Sequence, residues 1–185
     1  MKLLAKARLG NKLQLKKNKI GILGGTFDPA HKGHIAISKE AKKKYNLKYI
    51  IWAITRKNPF KKNSKLNLNS RIKIAKKIIA SNKFIKIKFY EKKIKSNKTI
   101  DLINYINRNK SFDINFIMGA DNLINFHKWY KWKLIAKKCN ILVFDRQGYK
   151  AKSLKSITFK QLNNKNLNFI SFKKVNISSS QLRKI

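Results

Sequence analysis

The fold class predicted by this 185-residue sequence is α/β: a single doubly wound domain with a mainly parallel sheet flanked by helices. Three observations carry that expectation. Short apolar runs alternate with amphipathic segments from Ile20 onward, the order that strand–helix–strand units produce. Several of the runs are apolar throughout, as strands covered by helices on both faces should be. A glycine-rich turn joins the first run directly to the helix that follows it.

Taken in order, Ile20–Leu23 is the first buried strand, and the helix after it runs from Ile35 to about Tyr45. Tyr49–Ile54 is the second strand. A loop rich in Asn, Pro and Lys covers Arg56 to Asn69, and Ser70 then caps a helix through Ala80 with Ile72, Ala75, Ile78 and Ile79 on one side. Phe84–Phe89 alternates apolar residues with lysine, like a strand with one wet face. Thr99 caps a helix to Arg108. Ile114–Met118 is another buried strand, followed by Gly119 and a helix from about Asp121. Ile141–Phe144 and Asn168–Ser171 are the last strands, and three serines open a terminal helix over Ser178–Lys184. In an open parallel sheet, ligands sit beyond the carboxyl ends of the strands, near the point where strand order reverses. The glycine turn, the Arg56 loop and Gly119–Asp121 all fall on that edge.

Composition limits the function classes. Hydrophobic residues make up 43% of the chain, too many for a disordered segment. No run approaches the ~18 uninterrupted apolar residues of a membrane helix, so no membrane partner is expected. Residues 1–19 hold seven basic residues and no acid, without the apolar core of a secretion signal. They are expected to form a short flexible basic arm, with a basic transit peptide as the alternative, ahead of one domain over residues 20–185. A lone cysteine, Cys139, rules out a disulfide framework and the usual structural zinc sites. The chain reads as soluble and cytoplasmic, and it leaves monomer and homodimer both open.

The formal net charge of +39 is nearly all lysine, spread along the chain; the arginines are Arg8, Arg56, Arg71, Arg108, Arg146 and Arg183. A nucleic-acid stripe would be concentrated and interleaved with arginine and aromatics. Specific nucleic-acid binding is therefore not expected, while non-specific attraction to polyanions at low salt is.

The richest stretch is Gly24-Gly25-Thr26-Phe27-Asp28-Pro29-Ala30-His31-Lys32-Gly33-His34. Glycines let a backbone come close to a ligand, and a helix start offers unpaired N–H groups to an anion. Residues three apart share a helix face, so His31 and His34 can reach one phosphate. Thr26 and Phe27 lie in the same cradle; Asp28 and Pro29 either join it or shape the turn. Near the C-terminus, Ser178, Ser179 and Arg183 offer hydroxyls, helix-start amides and a guanidinium, a pyrophosphate clamp. The same serines also suit the start of a helix.

These segments resemble the nucleotidyltransferase superfamily with the His-x-Gly-His motif. Gly25–His34 looks like its signature, and Ile177-Ser-Ser-Ser-Gln-Leu-Arg183 is similar to its Ser-Ser-Thr-x-Ile-Arg motif, with Ser180 and Leu182 as mild departures. Asn58-Pro-Phe-Lys61, Thr99-Ile-Asp101 and Met118–Tyr130 further resemble the bacterial nicotinate-nucleotide adenylyltransferases. The resemblance covers about residues 20–184 and implies a Rossmann-like fold and a transferase that moves the adenylyl group of ATP to nicotinate mononucleotide, giving nicotinic acid adenine dinucleotide and pyrophosphate, with Mg2+ arriving on the ATP.

It also implies roles. Gly24, Gly25, Thr26, Phe27, His31, His34, Ser178, Ser179 and Arg183 would bind the ATP phosphates, with His34 and His31 as the catalytic donors. Trp129 would stack on the acceptor ring, and backbone N–H groups near Thr99 and Tyr130 would bind its carboxylate. Asp121 and Asn122 would hold a ribose or the phosphate side of the acceptor. Asp101 is expected at a helix start; His127 and Cys139 are expected to be packing or surface residues; Lys57 and Lys61 are weak phosphate candidates. An alanine at position 34 is expected to lower turnover with little loss of stability.

Two alternatives remain. One is a sister nucleotidyltransferase whose acceptor is nicotinamide mononucleotide, pantetheine phosphate or glycerol phosphate; the pantetheine-phosphate motif usually carries threonine at the position of His31. The other is a basic nucleic-acid-binding protein.

Overall fold

A computed structural model describes residues 17–58, 60, 64–108, 112–162 and 165–171 of the chain. Six strands form one all-parallel sheet: β1 (Asn18–Gly25), β2 (Tyr49–Ile54), β3 (Ile85–Lys88), β4 (Phe112–Gly119), β5 (Asn140–Phe144) and β6 (Leu167–Ile170). Their order across the sheet is β3-β2-β1-β4-β5-β6. Strand order reverses between β1 and β4, so the crevice for a ligand opens beyond Gly25 and Gly119.

Alternation along the strands assigns each face. Ile20, Ile22, Ile114, Phe116, Met118, Ile141 and Val143 enter one core cluster. Helices α4 (Thr99–Asn107), α5 (Ala120–Leu123) and α6 (Trp132–Lys138) cover it with Ile100, Ile103, Leu123 and Ile135, joined by Phe126 from the 3-10 turn between α5 and α6. Leu23, Ile50, Trp52, Ile54, Ile117, Leu142 and Phe144 face the other cluster, under α1 (Lys32–Tyr45) and α2 (Leu68–Ile78). Gly21 faces this second cluster at close range: a Cβ there would lie 2.9 Å from Ile50 and 3.0 Å from Leu47.

Several boundaries differ from expectation. β1 begins at Asn18, because Asn18 and Lys19 pair in register with Phe112 and Asp113; the strand therefore takes up the end of the expected arm. The cap of α2 is Asn67, whose side chain accepts the Ser70 N–H at 2.9 Å, so the helix starts before Ser70 and ends at Ile78. Thr99 is the first helical residue of α4 and not its cap; Ser96 Oγ instead accepts from the Lys98 N–H at 3.1 Å and donates to Asp101 Oδ2 at 2.7 Å. The helix expected from about Asp121 is short, ending at Leu123. After α5 comes a single 3-10 turn, Phe126–Lys128, then an extended Trp129 and a left-handed Lys131 (φ 51°) before α6. That path lets Leu123, Phe126 and Ile135 all enter one core.

Three short helices were not legible in the pattern: α3 (Glu91–Ile94), α7 (Lys150–Leu154) and α8 (Ile157–Leu162). The last two are held by buried hydroxyls in place of an apolar stripe. Ser153 Oγ donates to the Lys150 carbonyl, Ser156 Oγ to the Ser153 carbonyl, and Thr158 Oγ1 accepts the His127 N–H. The expected terminal helix, with Ser178, Ser179 and Arg183, lies outside the described residues, as does most of the 1–19 arm.

One buried charge ties the loops of this edge together. Arg71, on α2, is 2% exposed. Its Nε donates to the Leu66 carbonyl at 3.1 Å, its Nη1 to the Thr26 and Thr55 carbonyls, and its Nη2 to the Arg56 carbonyl at 3.1 Å. Asp28, also 2% exposed, accepts the Lys65 and Leu66 N–H groups at 2.8 and 3.0 Å. Replacing Arg71 with methionine leaves these carbonyls buried without their donor, and is expected to cost about 3 kcal/mol. Urea unfolding measures it; a change below about 1 kcal/mol would show that the clamp adds little.

Candidate active site

The site is built from the first turn of α1 outward. His31 is the N-cap of this helix and His34 its third residue. The Gly33 N–H donates to His31 Nδ1 at 3.1 Å, and the His31 N–H donates to His34 Nδ1 at 3.2 Å. The two rings lie 3.9 Å apart between centroids. This is a capping box made by imidazoles where serine and glutamate are usual. Since a backbone N–H can only donate, both Nδ1 atoms are acceptors, and each neutral ring carries its proton on Nε2. Burial, helped by the charge of Arg146, lowers the pKa of His31 to about 4, so that ring is neutral at physiological pH.

Packing fixes the pair. Phe27, 2% exposed and in the left-handed conformation (φ 49°), stacks on Trp52 at 4.9 Å and lies 4.7 Å from the His34 ring. Trp52 Nε1 donates to Ser38 Oγ at 2.9 Å, and Ser38 Oγ donates to the His34 carbonyl at 2.8 Å. A short chain thus runs from the middle of β2 to the start of α1. His34 is therefore part of the helix start as well as a candidate donor, and its removal would break a capping bond. Asp28 resolves toward structure, because its carboxylate is occupied by the amides of Lys65 and Leu66.

Gly24 and Gly25 are half-buried, and neither has a positive φ. A Cβ on Gly24 would sit 3.6 Å from the Phe116 ring, and one on Gly25 3.6 Å from the Phe27 ring, both ordinary contacts. Gly119 is different: a Cβ there would fall 2.6 Å from Asp121 Oδ1. That closeness leaves Asp121 placed so that its Oδ2 accepts from Arg146 Nη1 at 2.7 Å. Asn122 follows in the first turn of α5, half-buried.

The aromatic residues adjoin this turn. The Trp129 ring meets Phe116 edge-on at 6.0 Å and Phe126 at 5.2 Å, and Phe116 is the ring that also borders Gly24. Tyr130 is 53% exposed, with Lys98 Nζ 5.8 Å from its ring centroid, which sets Tyr130 beside the start of α4 and Thr99. Thr99, Trp129, Tyr130, the glycine turn and both histidines are thus gathered on the carboxyl edge of the sheet. Asp101 bonds Ser96 in the first turn of α4. His127 Nδ1 is buried without a partner among the described residues, and Cys139 is buried, its thiol pushed up to about 12 by that burial. Lys57 is exposed and Lys61 lies outside the described residues. Among the described residues no group of three or more His, Cys, Asp or Glu side chains gathers around a possible metal position.

Sequence reasoning missed Arg71, Arg146 and Glu91 as organisers of this edge. Glu91 accepts the Arg56 N–H through both carboxylate oxygens, at 3.2 and 3.3 Å. One signal was available: arginines are only six among 46 basic residues, and Arg71 and Arg146 both hold acceptors through the guanidinium, a planar fork of donors.

Residues 22–185 match the protein family described as cytidylyltransferase-like. A Pelagibacter ubique protein named probable nicotinate-nucleotide adenylyltransferase is 74% identical over 175 residues, covering 95% of this chain and 97% of that one. A Bradyrhizobium protein of the same name is 40% identical over 129 residues, covering 69% of this chain and 67% of that one. Among solved structures, the fold is similar to Plasmodium falciparum nicotinic acid mononucleotide adenylyltransferase complexed with NaAD, with a TM-score of 0.71 and 21% identity over 90% of this chain and 83% of that one.

The His31 environment has a measurable consequence. Above pH 6.5 the ring is neutral in both folded and unfolded chains; as pH falls toward 4 the unfolded chain takes up its proton first, and stability drops. Urea unfolding between pH 6.5 and 4 should therefore show a steeper loss for the natural chain than for His31→Asn, which keeps a capping acceptor. Equal slopes would remove His31 as the source.

Proposed function

The chain belongs to the cytidylyltransferase-like family, and we propose that it transfers the adenylyl group of ATP to nicotinate mononucleotide, giving nicotinic acid adenine dinucleotide and pyrophosphate, a step of NAD biosynthesis. The observation that carries this reading is the 74% identity to the Pelagibacter protein along nearly the whole of both chains. The geometry supports it, because a phosphate-scale cradle and an aromatic wall meet across one ring, Phe116.

The reaction asks for in-line attack by a phosphate oxygen of the acceptor on the α-phosphorus of ATP. One oxygen–phosphorus bond forms as the bond to pyrophosphate breaks, with no covalent enzyme intermediate. Such chemistry depends on positioning and on stabilising charge at the non-bridging oxygens. His34 and His31 suit that task as Nε2–H donors whose orientation is set by the capping bonds. A Cβ at Gly24 or Gly25 would meet the edge of an aromatic ring at ordinary contact distance, and the lack of side chains there fits close approach by a phosphate. The amides of Thr26 and Phe27 complete that cradle. Ser178, Ser179 and Arg183 hold the pyrophosphate side.

Trp129 stacks on the acceptor ring, amides near Thr99 and Tyr130 take its carboxylate, and Asp121 and Asn122 hold the ribose or phosphate side. Mg2+ enters with ATP as part of the nucleotide substrate. The reaction is assigned to the cytoplasm, and the buried, unpaired Cys139 is compatible with a reducing compartment.

A screen of acceptors with Mg–ATP tests the assignment. Pyrophosphate release is expected with nicotinate mononucleotide at about a hundredfold or more above nicotinamide mononucleotide and pantetheine phosphate. No release with the nicotinate acceptor would overturn it. His34→Ala should lower turnover by about 10²–10³-fold, with about 1 kcal/mol lost from the broken cap; near-natural turnover would exclude His34 from the chemistry. Trp129→Ala should act mainly on the acceptor KM, and an unchanged KM would count against stacking.

A further inference from the structure

Beside the proposed acceptor site lies a cleft of about 530 Å3, lined by Arg56, Glu91, Lys92, Lys95, Ser96, Asn97 and Lys98. Its one carboxylate, Glu91, is turned to the Arg56 N–H, so the lining is cationic. Lys98 stands where this cleft meets the aromatic wall, its Nζ 5.8 Å from the centre of the Tyr130 ring. The Lys98 backbone is held in place, since Ser96 Oγ accepts its N–H while bonding Asp101. No step of the adenylyl transfer described above uses Lys98.

The geometry points to Lys98 as a specificity-determining residue, whose ammonium favours an acceptor ring bearing a carboxylate over the same ring bearing an amide. This rests on the placement of the acceptor ring between Trp129 and the Thr99–Tyr130 amides. The amides near Thr99 and Tyr130 suit the two oxygens of a carboxylate better than the oxygen and NH2 of an amide, and an ammonium beside them adds to that preference. An ammonium has only hydrogens to offer. It attracts both oxygens of a carboxylate and opposes the NH2 of an amide, which supplies the repulsive element that specificity needs. Lys98 is exposed, so the effect is moderate and screened by salt.

The test compares kcat/KM for nicotinate and nicotinamide mononucleotides in the natural enzyme, Lys98→Gln and Lys98→Arg, with melting temperature as the folding control. Glutamine at 98 should reduce the preference for the nicotinate acceptor about fivefold, the change falling on its KM and not on kcat. Arginine should retain the preference. A preference within twofold of the natural one in Lys98→Gln, or equal losses for both acceptors, would overturn the role of Lys98 while leaving the adenylyl-transfer reading standing. A natural enzyme that uses neither acceptor would overturn both.

Discussion

The carboxyl edge of the sheet depends on a single buried guanidinium. Arg71 reaches four backbone carbonyls in three segments: the turn after β1, the residues after β2 and the loop that enters α2. These part-buried carbonyls lie where the loops leave the sheet and its ladder, and the guanidinium serves as their donor. Lysine could not do this, because one ammonium on a flexible stem cannot span a planar fork of separated acceptors. Burial works against the charge on Arg71, and nearby Asp28 and Glu91 work for it. Those two carboxylates also hold the neighbouring amides of Lys65, Leu66 and Arg56. The cradle is rigid because its loops share one charged knot.

The same logic explains where negative charge survives in a chain of net charge +39 with seven acidic residues. Asp28 and Glu91 hold backbone amides, Asp101 bonds Ser96, Asp113 bonds Asn140, Asp121 pairs with Arg146, and Asp145 caps the Arg146 N–H. Six of the seven carboxylates thus act as acceptors within the fold, Glu40 on α1 being the exception, and most lysines among the described residues face solvent. The resulting field is broad, with no stripe, and suits small polyphosphates approaching from any direction. An acidic surface would repel both proposed substrates.

At the histidine pair, folding and chemistry use the same bonds. The capping box that starts α1 directs the Nδ1 atoms inward and so sets which nitrogen carries the proton. Burial keeps His31 neutral, which makes it a donor with no net charge to desolvate when a phosphate arrives. The stack of Phe27 on Trp52 and the Trp52–Ser38 bond hold that arrangement from beneath.

What the sequence determined by itself was the order of elements and the places where chemistry could occur. Predominantly apolar runs such as Tyr49–Ile54 and Ile114–Met118 became central parallel strands, because burial on both faces leaves a strand little room for polar side chains; Asn115, buried in the second, bonds the Asp113 carbonyl. The glycine turn, His31, His34, Trp129 and Tyr130 were legible because each residue type is costly or unusual unless something uses it. The breaks near Trp129 and Lys131 and the helices α7 and α8 were not legible. Their stability comes from Phe126 and Ile135 finding one core, and from Ser153, Ser156 and Thr158 finding buried partners, which are contacts between distant segments. The rarity of arginine set Arg71 and Arg146 apart from the lysines, while nothing in the sequence set Lys98 apart. Only tertiary structure could show what each of them holds, because a cation's role is set by the groups it meets, and local sequence carries no record of carbonyls brought in from three other loops.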